Sequence, residues 1–196
     1  MNYSIYGGKN PQNIMRGMQS RAQGEIFEKF IMASCDYYRD AGIAHIEKTP
    51  EPFHVTRSCG NGRFLGNFAK QAQPDFKGCL WSGKAVVFEA KHTDADRITQ
   101  DRVTQEQTDA LNRYCYMGAI CFILVSFGMQ QFYRIPWSDW RDMKLNYGRK
   151  YIMPEDVQDY QCHFDGRVIY FLGKEDVNEP QEQATQMAIQ MATQND

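Results

Sequence analysis

The sequence predicts an α/β fold in which a mixed β-sheet is flanked by helices, and three features lead to this prediction. Residues 73–91, QPDFKGCLWSGKAVVFEAK, place a Ser82-Gly83 turn signal between two runs rich in aromatic and β-branched residues, which is typical of a β-hairpin. Residues 119–127, AICFILVSF, form a nearly continuous apolar run, as expected of a central strand covered on both faces. A helix candidate lies between them, so a hairpin, a helix and a buried strand follow one another along the chain.

The elements before the hairpin are read from periodicity and from turn residues. Residues 1–20 are rich in Asn, Gln, Gly and Met with little periodicity, and we expect a flexible N-terminal arm. Residues 23–39 carry apolar side chains at helical spacing and predict the first helix. Gly42 ends this helix, and residues 43–48 alternate as a strand.

A second hairpin is predicted next. Residues 53–59 and 63–68 flank the tripeptide GNG, which is a turn signal at the tip of two short strands. An ordinary surface hairpin and a projecting functional hairpin both fit this pattern.

The elements after residue 91 complete the predicted sheet. Residues 92–102 are polar and predict a loop, and Thr104 with Gln107 matches a capping box that opens a helix. Further along we expect a strand over residues 131–135, a short helix over residues 137–143 and a late strand over residues 168–172. One domain then covers residues 21–173, and the acidic and polar tail, residues 174–196, is predicted to be disordered.

Composition excludes several classes of protein. A chain of 196 residues is long enough for one domain with a real core, and it has no apolar run near the ~20 residues that span a bilayer. The start of the chain lacks the apolar region of a signal peptide, so we expect a soluble intracellular protein without a membrane partner. The six cysteines are irregularly spaced, without a CxxC pair, which favours reduced thiols used mostly in packing over zinc or disulfides.

The net charge of −2 is unfavourable for a nucleic-acid-binding protein, but the charge is unevenly distributed. Residues 1–23 have a balance of +3, with Arg16 and Arg21 among the cations, and residues 52–91 have a balance of +4. The tail has a balance of −4. Positive charge is therefore concentrated in the segments that would meet DNA, although a mixed solvated surface also produces such unevenness.

Asp75, Glu89 and Lys91 form the candidate active site. Glu89 and Lys91 lie two residues apart on a strand and therefore point to the same face. Two carboxylates, with a backbone carbonyl such as that of Ala90, give Mg²⁺ the oxygen ligands that it prefers, with Mn²⁺ as an expected substitute. A cation there would activate water for phosphodiester hydrolysis, and Lys91 would orient that water or stabilise the transition state.

A plain edge hairpin also explains these residues, because a loosely spaced D…ExK match arises by chance in many proteins. The surroundings favour a nuclease. The motif ends an apolar run, AVVF, and precedes a helix and a buried strand, which is the order of the restriction-endonuclease-like fold.

The register of the hairpin decides whether the two carboxylates meet. A strict two-residue turn at Ser82-Gly83 would pair Asp75 with Ala90 and turn the aspartate to the wrong face. A three-residue turn, a bulge at Gly78, or a position of Asp75 just beyond the paired residues would each bring it back.

Several segments together resemble the RecU family of Holliday-junction resolvases, a branch of the PD-(D/E)xK nucleases. The resemblance covers roughly residues 24–172. The segments that carry it are DYYRDAGIAHIEKTPEP, QPDFKGCLWSGKAVVFEAKHT, EQTDALNRYCYMGAICFILVSF, FYRIPWSDW and RKYIMP.

The resemblance implies further site residues. The family has an acidic residue on its first helix, which we place at Glu28, with Glu25 as the competing position. Gln107 matches a glutamine that approaches the metal, although capping alone also explains it. Gln73 stands where the family usually has threonine, and its amide oxygen is retained as a candidate metal ligand.

In the family, the hairpin after the first strand is a stalk that reaches toward the junction centre. This implies a stalk at about residues 53–70, with phosphate contacts from Arg57, Arg63 and Lys70 and base contacts from Phe64 or Phe68. Arg16 and Arg21 of the arm are further candidate DNA contacts. The segment is shorter than is usual for the family.

The function implied by the resemblance is resolution of four-way DNA junctions by a Mg²⁺-dependent homodimer, through paired symmetric nicks in recombination and repair. Recombinase proteins are expected partners, and the location is the cytoplasm of a bacterium or of a phage-infected host cell. Two alternatives remain open: a restriction or repair nuclease of the same fold that cuts other DNA, and a non-catalytic junction-binding modulator of recombination.

Overall fold

The structure, a computed structural model, describes residues 11–50, 53–68, 73–173 and Asp176. Its helices are α1 (Pro11–Asp40), α2 (Gln105–Tyr116), α3 (Trp137–Arg141) and α4 (Met143–Tyr147). Its strands are β1 (Ala44–Lys48), β2 (Phe53–Gly60), β3 (Arg63–Phe68), β4 (Phe76–Leu80), β5 (Ala85–Thr93), β6 (Ile98–Thr99), β7 (Ile120–Phe127), β8 (Gln131–Pro136), β9 (Tyr151–Ile152), β10 (His163–Phe164) and β11 (Ile169–Tyr170). Single 3-10 turns lie at Gln100–Arg102, Pro154–Asp156 and Gln158–Tyr160.

A five-stranded mixed sheet with the order β1-β4-β5-β7-β8 forms the centre of the fold. β5 and β7 run parallel, and the other neighbouring pairs are antiparallel. The parallel pair requires a crossover, which α2 provides. The predicted α/β class, with a mixed sheet flanked by helices, is confirmed by this arrangement.

The two faces of the sheet pack against different helices. On one face, Phe88 stacks between Phe76 and Phe122 at ring-centroid distances of 4.9 and 4.6 Å, and this layer belongs to the same cluster as the α1 residues Phe27 and Ile31. The other face contains a separate apolar cluster that includes Val87 and Ile123 of the sheet, Leu111 of α2, and Trp137 and Trp140 of α3. Because strand side chains alternate, Glu89 and Lys91 share the face of Val87.

Helix α1 starts earlier than predicted. It begins at Pro11, inside the segment expected to be a flexible arm, while residues 1–10 lie outside the described residues. Proline suits the first turn of a helix because its φ is already helical and its missing N–H would have no partner there. Met15 and Met18 are exposed, so these two apolar side chains add nothing to a buried stripe that periodicity could detect.

The hairpin of β2 and β3 is confirmed where it was predicted. Gly60, Asn61 and Gly62 have φ values of 79°, 50° and 73°, which explains why two glycines and an asparagine occupy the tip. Within the described part of the chain the two strands pair only with each other, and all eight residues of β2 are exposed. The hairpin is therefore not packed into the core.

Other predicted boundaries need correction. The segment expected to be a polar loop contains the end of β5 and all of β6, and Ile98 within it is buried. The late strand is limited to β11, and the short helix is followed by α4. Of the tail, the structure describes Asp176, which forms an ion pair with Arg134 at 2.8 Å.

All six cysteines are free, as predicted, but only Cys35, Cys121 and Cys162 are buried, so packing explains half of them. Among the described residues, no helix has the length and apolar character needed to cross a membrane.

Candidate metal centre

Asp75 and Glu89 lie opposite each other where β4 begins. The pairing of Phe76 with Phe88 and of Cys79 with Ala85 places residue 75 across from residue 89. The connection is a three-residue loop, residues 81–83, closed by a hydrogen bond from the Leu80 N–H to the Lys84 carbonyl at 2.9 Å. Of the arrangements that the sequence left open, this loop brings the two carboxylates to one face, with Asp75 just before the strand.

Gly78 lies in regular pairing instead of in a bulge. A Cβ at this position would lie 2.0 Å from the carbonyl oxygen of His45, so the neighbouring strand β1 comes too close for any other residue.

Backbone groups fix both carboxylates. The Asp75 N–H donates to Glu89 Oε2 at 3.2 Å, and the Ala90 N–H donates to Asp75 Oδ2 at 3.0 Å. The Thr49 N–H donates to the Asp75 carbonyl at 2.8 Å, which continues the pairing of β1 with β4. The site is therefore built on three adjacent strand positions and is held without the help of a mobile loop.

Glu89 is fully buried, with no exposed surface. Burial raises the pKa of the Glu89 carboxyl to about 8, and the negative charge of Asp75 adds to the rise. Lys91 acts in the opposite direction, since its Nζ lies 3.0 Å from Glu89 Oε1. The lysine thus only partly offsets the cost of burying the Glu89 carboxylate next to the charge of Asp75.

Gln107 connects α2 to this group in two ways. Its side-chain oxygen accepts from the Thr104 N–H at 3.0 Å as part of the predicted capping box, and its Nε2 donates to Glu89 Oε1. Capping and approach to the site therefore coexist. In this orientation Gln107 positions Glu89, and its role as a direct metal ligand stays a prediction.

Gln73 lies two residues before Asp75, in the segment that leads into β4. Its amide oxygen accepts a hydrogen bond from the Lys77 ammonium group at 2.6 Å. The proposed contact of this oxygen with a metal ion stays a prediction. Sequence reasoning had not assigned Lys77 a role. Its position two residues after Asp75, on the same strand face, is the signal that could have identified it.

Glu28 forms an ion pair with Lys48 at 2.5 Å. Lys48 is paired with Phe76 and thus faces α1, the opposite side from Glu89. The next residue, Thr49, contacts the Asp75 backbone, so the Glu28–Lys48 pair borders the site at the end of β1. A catalytic role for Glu28 stays a prediction.

The candidate DNA contacts are spread over two elements. Arg57 and Arg63 lie exposed on the β2–β3 hairpin, and Arg21 is exposed on α1. Arg16 also lies on α1, but its side chain is outside the described part of the structure, as is all of Lys70.

The carboxylates of Asp75 and Glu89, where β4 begins, fit Mg²⁺ or Mn²⁺. Among the described residues there is no cluster of three or more His, Cys, Asp or Glu side chains, so Asp75 and Glu89 would be the charged ligands of the site. Mg²⁺ commonly takes one or two carboxylates and completes its shell with water and phosphate oxygens. The pKa of the Glu89 carboxyl is raised by burial and by the neighbouring Asp75 carboxylate. A divalent cation between the two groups would neutralise their negative charges.

Two relatives illustrate the similarity to known proteins. "Holliday junction resolvase RecU" of Streptococcus pneumoniae (strain Hungary19A-6) is 31% identical over 115 residues, which cover 56% of this chain and 58% of the relative. The protein of the same name from Streptococcus oralis gives the same identity and coverage. The match thus spans 58% of the length of these curated relatives.

A solved structure and a family profile complete the comparison. The structure of Archaeoglobus fulgidus Hjc, described as a Holliday junction resolvase from an archaeal hyperthermophile, has a TM-score of 0.41 at 11% identity, covering 69% of this chain and 88% of that one. Residues 22–178 match the profile of the family described as RecU, Recombination protein U. Because this match takes in well over half of the 196 residues, the chain belongs to the RecU family.

Proposed function

We propose that this protein is a metal-dependent, structure-selective endonuclease that resolves four-way DNA junctions by paired symmetric nicks in recombination and repair. The observation that carries the proposal is the placement of Asp75 opposite Glu89, with Lys91 on the same face and in contact with Glu89. Membership of the RecU family, and the names of the two streptococcal relatives, support the choice of substrate.

Asp75 and Glu89 would hold Mg²⁺, or Mn²⁺ as a substitute, and Gln73 and Gln107 are additional candidate ligands. When bound, the cation supplies an acidified water and neutralises charge on the phosphate. Lys91 carries its ammonium group beside Glu89, where it stabilises the negative charge that develops on the phosphate oxygens. Glu28 is a candidate for a further catalytic carboxylate at the edge of the same site.

The Gln107 side chain donates to one Glu89 oxygen and the Asp75 N–H donates to the other. Such fixed contacts keep the carboxylate in place before substrate arrives, which lowers the reorganisation needed during reaction. Burial of Glu89 also keeps bulk water away from its charge.

A homodimer suits the proposed reaction because two symmetric nicks need two sites at a fixed spacing, and two-fold symmetry provides them. Recognition would depend on junction shape and phosphates more than on base edges. Arg57, Arg63 and Lys70 of the hairpin, with Arg16 and Arg21 of α1, are the proposed phosphate contacts.

We expect the protein to act in the cytoplasm of a bacterium or of a phage-infected host cell, with recombinase proteins as partners and without a membrane.

The test is to incubate the purified protein with a synthetic four-way junction and with a linear duplex of the same sequence, each with Mg²⁺ or with EDTA. We expect paired nicks at symmetric positions in the junction with Mg²⁺, and no cleavage with EDTA. Equal cleavage of both DNAs would support a nuclease without junction selectivity, and cleavage in EDTA would contradict the metal-dependent mechanism.

A further inference from the structure

A polar groove with a volume of about 430 Å³ lies at the N-terminal end of α2. Its floor contains Trp137 and Trp140, both buried. Its polar wall is formed by Gln100, Thr104, Gln105, Thr108, Arg141 and Lys150.

The groove and the candidate metal centre share the first turn of α2. Thr104 lines the groove, and its hydroxyl and backbone N–H bond to Gln107, whose side chain also donates to Glu89. Residues 104 and 107 lie within one helical turn, which advances about 5.4 Å along the axis. The groove is thus linked to Glu89 through Gln107, and a DNA strand bound at Asp75 and Glu89 would bring a nearby phosphate toward it.

The walls of the groove are fixed relative to one another by Gln100. Its backbone N–H donates to the Lys150 carbonyl at 2.9 Å, and its side-chain Nε2 donates to the carbonyls of Trp140 and Arg141 at 2.9 and 2.7 Å. The backbone positions that carry the two cations are thus set before any ligand arrives.

Lys150 is the cation of the groove that is available to an anion. Arg141 is paired with Asp142 at 2.7 Å, whereas no ion pair of Lys150 is found within the described ranges. Asp101 also lines the groove and accepts from the Thr99 hydroxyl, so the formal charges of these four side chains, Arg141, Asp142, Lys150 and Asp101, cancel. The α2 N-terminus adds partial positive charge, and the buried indole N–H of Trp140 has no hydrogen-bond partner among the described residues.

We propose that this groove binds the phosphodiester next to the scissile phosphate, with Lys150 as its main cationic contact. This inference rests on the proposed function, because it assigns a substrate contact to the same site. Lys150 is a positioning residue: it would hold the strand in register with the metal centre and take no part in the chemical step.

The test measures binding of the full-length protein to a four-way junction and to linear duplex in EDTA, over a series of salt concentrations. Lys150→Ala should reduce the slope of log affinity against log salt by about one on both DNAs, as expected for the loss of one phosphate contact. Lys150→Arg should retain the slope. Lys144→Ala removes an exposed lysine of α4 that does not line the groove and should leave the slope unchanged.

The contacted phosphate is identified by replacing single phosphates of the cut strand with uncharged methylphosphonates. At the position next to the scissile phosphate, the substitution should weaken binding by the parent protein but have no added effect on Lys150→Ala. An unchanged salt slope for Lys150→Ala, or equal sensitivity of both proteins at every position, would overturn the groove assignment.

The two proposals fail in different ways. A reduced salt slope for Lys150→Ala on both DNAs, together with no junction cleavage by the parent protein in Mg²⁺, would support the phosphate contact in the groove and contradict the resolvase function. Junction cleavage with a normal slope for Lys150→Ala would do the opposite, and absence of all DNA binding would contradict both.

Discussion

The backbone N–H of Asp75 donates to a side-chain oxygen of Glu89 at 3.2 Å, so the strand that carries one acidic residue also orients the other. The next N–H along β5, that of Ala90, returns a bond to the Asp75 carboxylate. Each carboxylate is therefore held by the opposite strand, and its position depends directly on the register of the β4–β5 hairpin.

Removal of the negative charge of Asp75 or of Glu89 should stop cleavage and preserve DNA binding. We expect Asp75→Asn and Glu89→Gln each to abolish nicking of a four-way junction, because both carboxylates are proposed to hold the cation. Junction affinity should remain near that of the parent, since cations that meet phosphates supply most of it. The measurement is a cleavage time course beside a binding titration, with the exposed Asp159→Asn as a control. A wild-type cleavage rate in either site variant would show that the site is misplaced.

The raised pKa of Glu89 predicts a pH dependence of stability. An ordinary glutamate has a pKa of 4.5, and that of Glu89 in the folded protein is about 8. Between these pH values the folded protein keeps a proton that the unfolded chain has released, so the free energy of unfolding of metal-free protein falls as pH rises through this window. Mg²⁺ needs the deprotonated carboxylate, so its affinity should rise with pH over the same range.

Urea unfolding in EDTA, repeated between about pH 5 and about pH 8, measures this effect. Glu89→Gln has no carboxyl to titrate at this position and should show a flatter dependence. Identical pH profiles for the parent and Glu89→Gln would contradict a perturbed Glu89.

Lys91 is predicted to act on the chemical step. Lys91→Ala should slow single-turnover cleavage by ~10²–10³, the usual loss for one preorganised donor that stabilises transition-state charge. The variant also removes the cation that lowers the Glu89 pKa, so its remaining activity should need a higher pH. Lys84→Ala, in the loop region at the other end of the hairpin, serves as the control. A variant with the parent rate and pH profile would leave Lys91 without a catalytic role.

The sequence was sufficient to predict the sheet, its helical flanks and both hairpins, because apolar periodicity and glycine turns mark these elements. It did not determine the hairpin register, since the Ser82-Gly83 signal fits loops of two or three residues, and the choice depends on packing across strands. It also placed the start of α1 too late, because Met15 and Met18 in the early turns of that helix are exposed and give no apolar periodicity.

At the candidate site, Gln107 was identified from the capping box, and the structure adds its second bond, to Glu89. Lys77 was missed because its contact with Gln73 depends on which residues share a strand face. The groove at Lys150 was also beyond prediction, since it joins segments that are distant in sequence.

The functional unit should be a homodimer. Light scattering at micromolar protein should give a mass near twice that of the 22.8 kDa chain, because paired nicks require two active sites in a fixed relationship. A mass near that of one chain, both with and without junction DNA, would contradict this prediction.

The β2–β3 hairpin should govern the choice of substrate and leave hydrolysis intact. Its strands pair only with each other and β2 is exposed throughout, so replacing residues 57–63 by a short Gly-Ser turn should change the melting temperature little. The replacement removes Arg57 and Arg63, and the slope of log junction affinity against log salt should shrink by up to about two.

A double Arg57→Ala and Arg63→Ala variant should give the same change in slope while keeping the hairpin itself. Because Asp75, Glu89 and Lys91 are untouched, metal-dependent nicking of a less demanding DNA substrate should persist in both variants. If the shortened protein binds and resolves the four-way junction as well as the parent does, the hairpin is only scaffold, and junction selectivity must come from another surface.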